Sequence, residues 1–199
     1  MNIDDTDLII AADAGLGNLN EIGITPHYIV GDFDSLNYEP TGDNVIKHPV
    51  RKDETDTILA IDIGFEKGFK RFIIYGCVGG RLDHTYANIQ AAAYVTQKGG
   101  NAVFIGPDFN FTVIKDNYVK FSDKNKGVIS VFALSSTAIK VTEKGLLYEL
   151  DKEKLSPDYP LGVSNEFIGK ESYVSVKDGT ICIMWEDINA EYIIGGYDE

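Results

Sequence analysis

The sequence is poor in several things, and each shortage excludes something. It has two cysteines, Cys77 and Cys182, far apart and inside apolar strand-like runs, so a secreted disulfide framework is excluded in favour of two buried free thiols. Long apolar runs are missing: the longest, such as Leu8 to Ala12, reach about five residues against ~20 for a membrane span. The N-terminus MNIDDTDLII carries no basic segment followed by an apolar stretch, as a signal peptide would, so a cytoplasmic protein is expected. Positive charge is also scarce. Eighteen Lys and Arg face 31 Asp and Glu, for a net charge of −13. Binding to bare nucleic acid, which rests on cationic side chains at phosphates, and adhesion to an anionic membrane are therefore both opposed. A polyanionic substrate is repelled as well, unless a cation accompanies it.

Apolar residues make up 44% of the 199, which is enough for a core and excludes a disordered chain. Up to about residue 115, short apolar runs alternate with helical patterns. Leu8–Ala12, Tyr28–Gly31, Phe72–Tyr75 and Ala102–Ile105 are expected as buried strands. Asp56–Lys67 is expected as a helix with Ile58, Ile61 and Phe65 on one face, stopped by Gly68. Leu82–Lys98 is expected as a second, with Leu82, Tyr86, Ile89 and Ala93 on one face. That alternation predicts a mainly parallel sheet covered by helices. Beyond Asn110 the runs are short and β-rich: Val128–Leu134, Leu146–Leu150, Tyr173–Val176, Ile181–Trp185 and Tyr192–Ile194. They predict an antiparallel sandwich or barrel, with the domain boundary in the polar stretch around Ser122–Lys126.

The acids that matter lie where strands end. In Tyr28-Ile29-Val30-Gly31-Asp32-Phe33-Asp34-Ser35 an apolar strand runs into two aspartates. Extended geometry puts Asp32 and Asp34 on one side, at the carboxyl end of a strand, where parallel α/β sheets bind ligands. Two adjacent carboxylates stay ionised most readily around a cation, and oxygen-only donors favour magnesium with substrate phosphates. The alternative is a solvated acidic turn. Asp53-Glu54-Thr55-Asp56 precedes a helix and suits either a capping box, with Asp53 as N-cap, or a third metal carboxylate, Asp56. Gly76 to Asn88 reads as a strand end, a glycine-rich turn and a helix start. The turn admits backbone N–H groups close to phosphate, with Arg81 adding a fork of donors, or is a plain connection. His84 and Asn88 stand one helical turn apart. Ala11-Ala12-Asp13-Ala14-Gly15 is again a strand, an aspartate and a helix. Four such segments on one sheet edge point to a metal-nucleotide site.

Together these motifs resemble the thiamine pyrophosphokinase family. The resemblance rests on Ala12-Asp13-Ala14-Gly15, Pro26 to Leu36, Asp53-Glu54-Thr55-Asp56, Gly79-Gly80-Arg81-Leu82-Asp83-His84, Gly145 to Tyr148 and Val163-Ser164-Asn165-Glu166, in order over nearly the whole chain. It implies an N-terminal, mainly parallel α/β nucleotide-binding domain over residues 1–118 and a C-terminal antiparallel β-sandwich domain over 119–199. It implies a thiamine diphosphokinase: the terminal diphosphate of ATP passes to the hydroxyl of thiamine, giving thiamine diphosphate and AMP. The implied magnesium carboxylates are Asp32, Asp34 and Asp56. The residues implied around the ATP phosphates or the reacting hydroxyl are Asp13, Thr55, Arg81 and Asp83, with Asp83 a possible acceptor of the hydroxyl proton. Ser164, Asn165 and Trp185 fall where the family contacts thiamine, although Trp185 also suits core packing. A homodimer with sites at the subunit interface is implied. Two departures stand out. The family has a further strand and helix before the Asp13 segment, and it reads Asp-Gly-Gly where this chain reads Asp13-Ala14-Gly15, which matters if position 14 takes positive φ. The rival readings are a thiamine- or nucleotide-binding protein without turnover, and a haloacid-dehalogenase-like phosphatase suggested by Asp32-Phe33-Asp34.

Overall fold

The computed structural model describes residues 3–33, 40–47 and 55–195. Asp34 and Asp53 lie outside the described residues. The fold is mixed α/β, and the chain divides into two compact units, Met1–Phe69 and Lys70–Glu199.

In the first unit, β1 (Ile10–Ala12), α1 (Gly15–Glu21), β2 (Tyr28–Gly31), β3 (Val45–Lys47) and α2 (Asp56–Glu66) follow one another. The strands form a parallel sheet in the order β1-β2-β3, with Ala11 opposite Ile29 and Ile29 opposite Val45. Ala11, Leu16, Ile29 and Phe33 make its small core, with Leu19 and Val45 against them. Helix α2 starts where Thr55, in extended conformation, accepts the Ile58 N–H on its hydroxyl at 3.4 Å. Thr55 is thus the N-cap, and Asp56 enters the first turn, where a carboxylate suits the helix dipole. Gly68, at φ +89°, lies just past the helix end, as expected.

The second unit contains β4 (Arg71–Tyr75), α3 (Leu82–Gln97), β5 (Asn101–Ile105), β6 (Asn110–Lys115), β7 (Tyr118–Phe121), β8 (Val128–Ala133) and β9 (Ala138–Lys144). It continues with β10 (Leu150–Leu155), β11 (Gly162–Glu166), β12 (Ser172–Ser175), β13 (Thr180–Trp185) and β14 (Tyr192–Ile194). A six-stranded sheet runs β11-β8-β13-β6-β5-β4 and a five-stranded sheet β10-β9-β12-β7-β14. β4 and β5 pair in parallel; β5 turns antiparallel into β6 and so carries the sheet into the C-terminal strands. The four expected N-terminal strands are therefore distributed over two sheets among the described residues, and 118/119 falls inside β7, within the second compact unit.

Both sheets of the second unit contribute to one core. Phe121, Val141 and Val174 come from one, and Ile114, Ile129, Val131, Ile181 and Ile183 from the other. Trp185 lies inside it at 1% exposure, edge-on to Phe121 at 5.4 Å and against Tyr192 at 5.3 Å. Helix α3 buries Ala91, Ala92, Val95 and Thr96, while Leu82 and Tyr86, expected on the inner face, are exposed. Small alanines let the helix approach its sheet closely, and Thr96 fixes it by donating to the Val113 carbonyl at 2.8 Å. Leu146–Leu150, expected as a strand, is mostly a loop: Gly145 takes φ +74°, Leu146 makes an isolated bridge to Phe167, and Leu150 opens β10 opposite Glu143. β10 was not expected, because Asp151 to Lys154 are charged and exposed on an edge strand. Cys77 and Cys182 are free and buried. Among the described residues no helix is long and apolar enough to cross a membrane.

Core placement of the lone tryptophan predicts a stability effect. Trp185→Ala should lower unfolding stability by about 3–5 kcal/mol in urea titrations. A loss below about 1 kcal/mol, typical of surface positions, would contradict the core assignment.

Candidate active site

The first unit gathers acids at its strand ends. Asp13 follows β1 and Asp32 follows the neighbouring β2, so parallel pairing brings them to the same edge of the sheet. The Asp13 N–H donates to the Val30 carbonyl at 2.9 Å, and Phe33 N–H donates to the Asp13 carboxylate at 3.4 Å. The turn is tight. Asp13 has φ +44° and Phe33 φ +63°, and a Cβ on Gly31 would run into the Asp13 carboxylate. Only glycine fits position 31 without displacing that group. Ala14, by contrast, opens α1 with φ −56°, so its methyl is harmless: the positive φ falls on Asp13.

Asp56, at the start of α2, shares a hydrogen bond with Asp13. Burial raises the Asp13 pKa to about 6, helped by that hydrogen bond and by the charges of Asp56 and Asp32. Such a shift is the signature of carboxylates crowded together with too little solvent or positive charge between them. All the donors are oxygens, and this set fits a hard divalent cation. Among the described residues no group of three or more His, Cys, Asp or Glu side chains stands at metal-holding geometry. Asp32 and Asp56 are thus near a common partner, Asp13, which the sequence suggested only as a phosphate-side residue.

The glycine-rich turn belongs to the second unit. Gly76, Gly79 and Gly80 take φ of +72°, +90° and +108°. Asn88, one helical turn beyond His84, uses its amide to donate to the Cys77 carbonyl at 2.7 Å and pins the turn to α3. Burial pushes the Cys77 thiol up to about 11, so it is no nucleophile at neutral pH. Arg81 grips Asp83 through two hydrogen bonds, Nε to Oδ1 at 3.1 Å and Nη2 to Oδ2 at 2.5 Å, on the exposed face of the helix start. That contact lowers the Asp83 pKa to about 2. Asp83 is therefore a fixed anion and a weak proton acceptor, which argues against it as the base for a hydroxyl.

Ser164 and Asn165 sit on β11. Ser164 has φ +60° and donates its N–H to Ser130 Oγ at 3.1 Å. Asn165 is buried and bonded on every side. Its Oδ1 accepts the N–H of Tyr148 and of Glu166, both at 2.9 Å, and its Nδ2 donates to the Tyr148 carbonyl at 2.6 Å and to Glu143 Oε2 at 2.8 Å. Glu143 is a functional candidate that reading the sequence missed. The signal was the period-two alternation of β9, which puts residue 143 on the same inward face as Val141. Burial raises the Glu143 pKa to about 7, with Asn165 partly offsetting it. Trp185, deep in the core, presents no face for stacking.

Carboxylates at the carboxyl ends of parallel strands, beside a helix start, define a class: α/β proteins with an acidic ligand-binding edge. The model of thiamin pyrophosphokinase, catalytic domain, matches residues 2–104, and that of thiamin pyrophosphokinase, vitamin B1 binding domain, matches residues 116–181. The thiamine pyrophosphokinase of Bacillus subtilis is 28% identical over 197 residues, covering 91% of this chain and 88% of the relative. The crystal structure of the B. subtilis thiamine pyrophosphokinase superposes with a TM-score of 0.81 at 27% identity, over 92% of this chain and 89% of that one. Thiamin pyrophosphokinase from Geobacillus thermodenitrificans gives 0.77 at 25%, over 92% and 88%. The Candida albicans enzyme shares the fold, at 0.76 and 19% identity over 94% and 87%. The chain belongs to the thiamine pyrophosphokinase family.

Glu143 gives this unit a pH signature. Its pKa is raised from 4.5 to about 7, so between these values the folded protein holds a proton that the unfolded chain releases. Stability therefore falls as pH rises through that window, by on the order of 3 kcal/mol in all. Glu143→Gln should unfold at a higher urea concentration than the wild type at pH 8, with the gap closing by pH 4. A gap independent of pH would contradict a buried titrating carboxyl.

Proposed function

We infer that this chain is a thiamine diphosphokinase, transferring the terminal diphosphate of ATP to the hydroxyl of thiamine with release of AMP. The observation that carries this is the pair of family matches, catalytic over residues 2–104 and vitamin-binding over 116–181, on a chain whose acids crowd together at parallel strand ends. The functional division follows at 118/119: a mainly parallel α/β ATP side over 1–118, and an antiparallel β-sandwich vitamin side over 119–199. The antiparallel pairing throughout β7–β14 supports the second half of that description, with β6 joining the same core from the other side of the boundary.

Asp32, Asp34 and Asp56 would hold magnesium, and Asp13 lies close to Asp32 and Asp56. Magnesium supplies charge neutralisation at the phosphates of ATP, which a protein of net charge −13 otherwise repels. The chain's own groups position and stabilise. Thr55 caps α2, fixing where Asp56 enters the site. Arg81 and the N–H groups of the glycine turn offer donors to phosphate oxygens. Asp83 holds the Arg81 fork in one orientation, which is a positioning task suited to a permanently ionised group. Ser164 and Asn165 serve the vitamin side, Asn165 through the backbone it holds. Trp185 supports that side from the core. The protein works in the cytoplasm as a homodimer with its sites at the subunit interface. Leu147, Tyr148, Leu161 and Val163, exposed along the unpaired edge of β11 and the loop beside it, support such an association.

One product assay separates the alternatives. ATP, thiamine and magnesium should give AMP and thiamine diphosphate. Free phosphate instead would indicate a phosphatase, and no product a binding protein. Asp56→Asn should reduce turnover by about a hundredfold or more while the protein stays folded. Wild-type turnover in that variant would remove Asp56 from the site.

A further inference from the structure

Asn165 has no hydrogen-bonding capacity left for a ligand. A side-chain amide offers two donor hydrogens and two acceptor lone pairs. All four are engaged by the protein: the main-chain N–H and C=O of Tyr148, the N–H of Glu166, and Glu143 Oε2. The amide therefore works as a clamp. It grips the main chain of Tyr148 from both sides and ties the loop after Gly145 to β11, where Leu147 N–H also donates to the Glu166 carbonyl at 3.0 Å. The Tyr148 side chain is left exposed, and the main chain of Ser164, next to Asn165 on β11, is held in turn by Ser130.

Glu143 completes the clamp at a cost. It is 1% exposed, and its second oxygen, Oε1, has no hydrogen-bond partner. It lies against Gly162, where an added Cβ would stand 3.3 Å from Oε1 and 2.5 Å from the Val131 carbonyl oxygen. An unpartnered polar atom in a core costs stability that an apolar side chain of similar size would not. Among the described residues with such an atom, Asn110, Glu143, Ser172 and Trp185, only Glu143 carries an ionisable group. Its useful contact is Oε2, which takes the one Asn165 hydrogen that the Tyr148 carbonyl does not, and so fixes which way round the amide sits.

We propose that Glu143 is a positioning residue of the vitamin-binding segment: by orienting Asn165 it holds the Tyr148 loop and β11 in the register that receives thiamine. This rests on the thiamine diphosphokinase reading above. The contact is independent of the acidic cluster in the first unit, so its loss should appear in thiamine affinity and spare the handling of ATP.

The test compares Glu143→Leu, which cannot accept the Asn165 hydrogen, with Glu143→Gln, which can. Glu143→Val is a second truncation if the leucine variant does not fold. Hydrogen exchange at the Tyr148 and Glu166 amides reads the clamp without any substrate. It should be about tenfold faster in the truncation and near wild type in Glu143→Gln, as befits loss of one buried hydrogen bond. Steady-state kinetics should show the thiamine KM raised about tenfold in the truncation, with kcat and the ATP KM within about twofold, and rescue by Glu143→Gln. Unchanged exchange overturns the clamp itself. Faster exchange with an unchanged thiamine KM, or an equal rise in both KM values, overturns its role in positioning. A wild-type protein that makes no AMP from ATP and thiamine overturns instead the enzymatic reading on which the substrate assignment rests.

Discussion

Like charges brought together at the ends of parallel strands are the constraint around which the first unit is built. Asp13 and Asp56 share a hydrogen bond, Asp32 adds its charge, and burial removes the water that would have screened them. Two things relieve such crowding, a proton or a cation. The raised Asp13 pKa is the direction that crowding imposes on a carboxyl without a cation beside it. The surrounding structure maintains the crowding: Gly31 leaves room for the Asp13 carboxylate, Asp13 itself accepts a left-handed backbone, and Thr55 fixes the helix start that delivers Asp56. A fold that spends strain to hold acids together is suited to an ion that neutralises them, and through the ion to a polyanion that a chain of charge −13 would otherwise turn away.

The second unit solves a related problem by other means. Several of its buried polar groups are satisfied by protein, with Glu143 Oε1 among the exceptions. Thr96 and Thr112 cap carbonyls of neighbouring strands, Asn88 holds the glycine turn, and Asn165 uses its whole amide to lock a loop to an edge strand. The Arg81–Asp83 pair on the surface is also self-contained, but its members are exposed and free to exchange one partner for a phosphate oxygen. The polar groups of this unit thus divide into those that fix backbone and those that remain available at the surface.

Much of this was legible in the residues. Apolar runs located β1, β2, β5, β8 and β13, because burial leaves few polar positions in a strand; β4 was located the same way although, as an edge strand among the described residues, it leaves Ile73 and Tyr75 exposed rather than buried as expected. Asp13 and Asp32 were legible because each follows such a run, and Asp56 because it opens a helix. The charged edge strand β10 was invisible for the opposite reason: a strand that buries one end residue and exposes the rest carries no hydrophobic period. The inner face of α3 was misread because alanines, which allow close approach, score below the Leu82 and Tyr86 that the helix in fact exposes. Trp185 was ambiguous in sequence, and only its neighbours Phe121 and Tyr192 put it in the core. Glu143 was missed because a buried acid is read by default as a solvated one.

The central claim is that the crowded carboxylates admit ATP only with a divalent cation. Calorimetric titration of the wild-type protein with ATP, with and without magnesium, tests it most directly. The account predicts binding with magnesium that weakens about tenfold or more when the metal is removed by a chelator, since the phosphates then meet uncompensated carboxylates. Equal affinity under both conditions would contradict it.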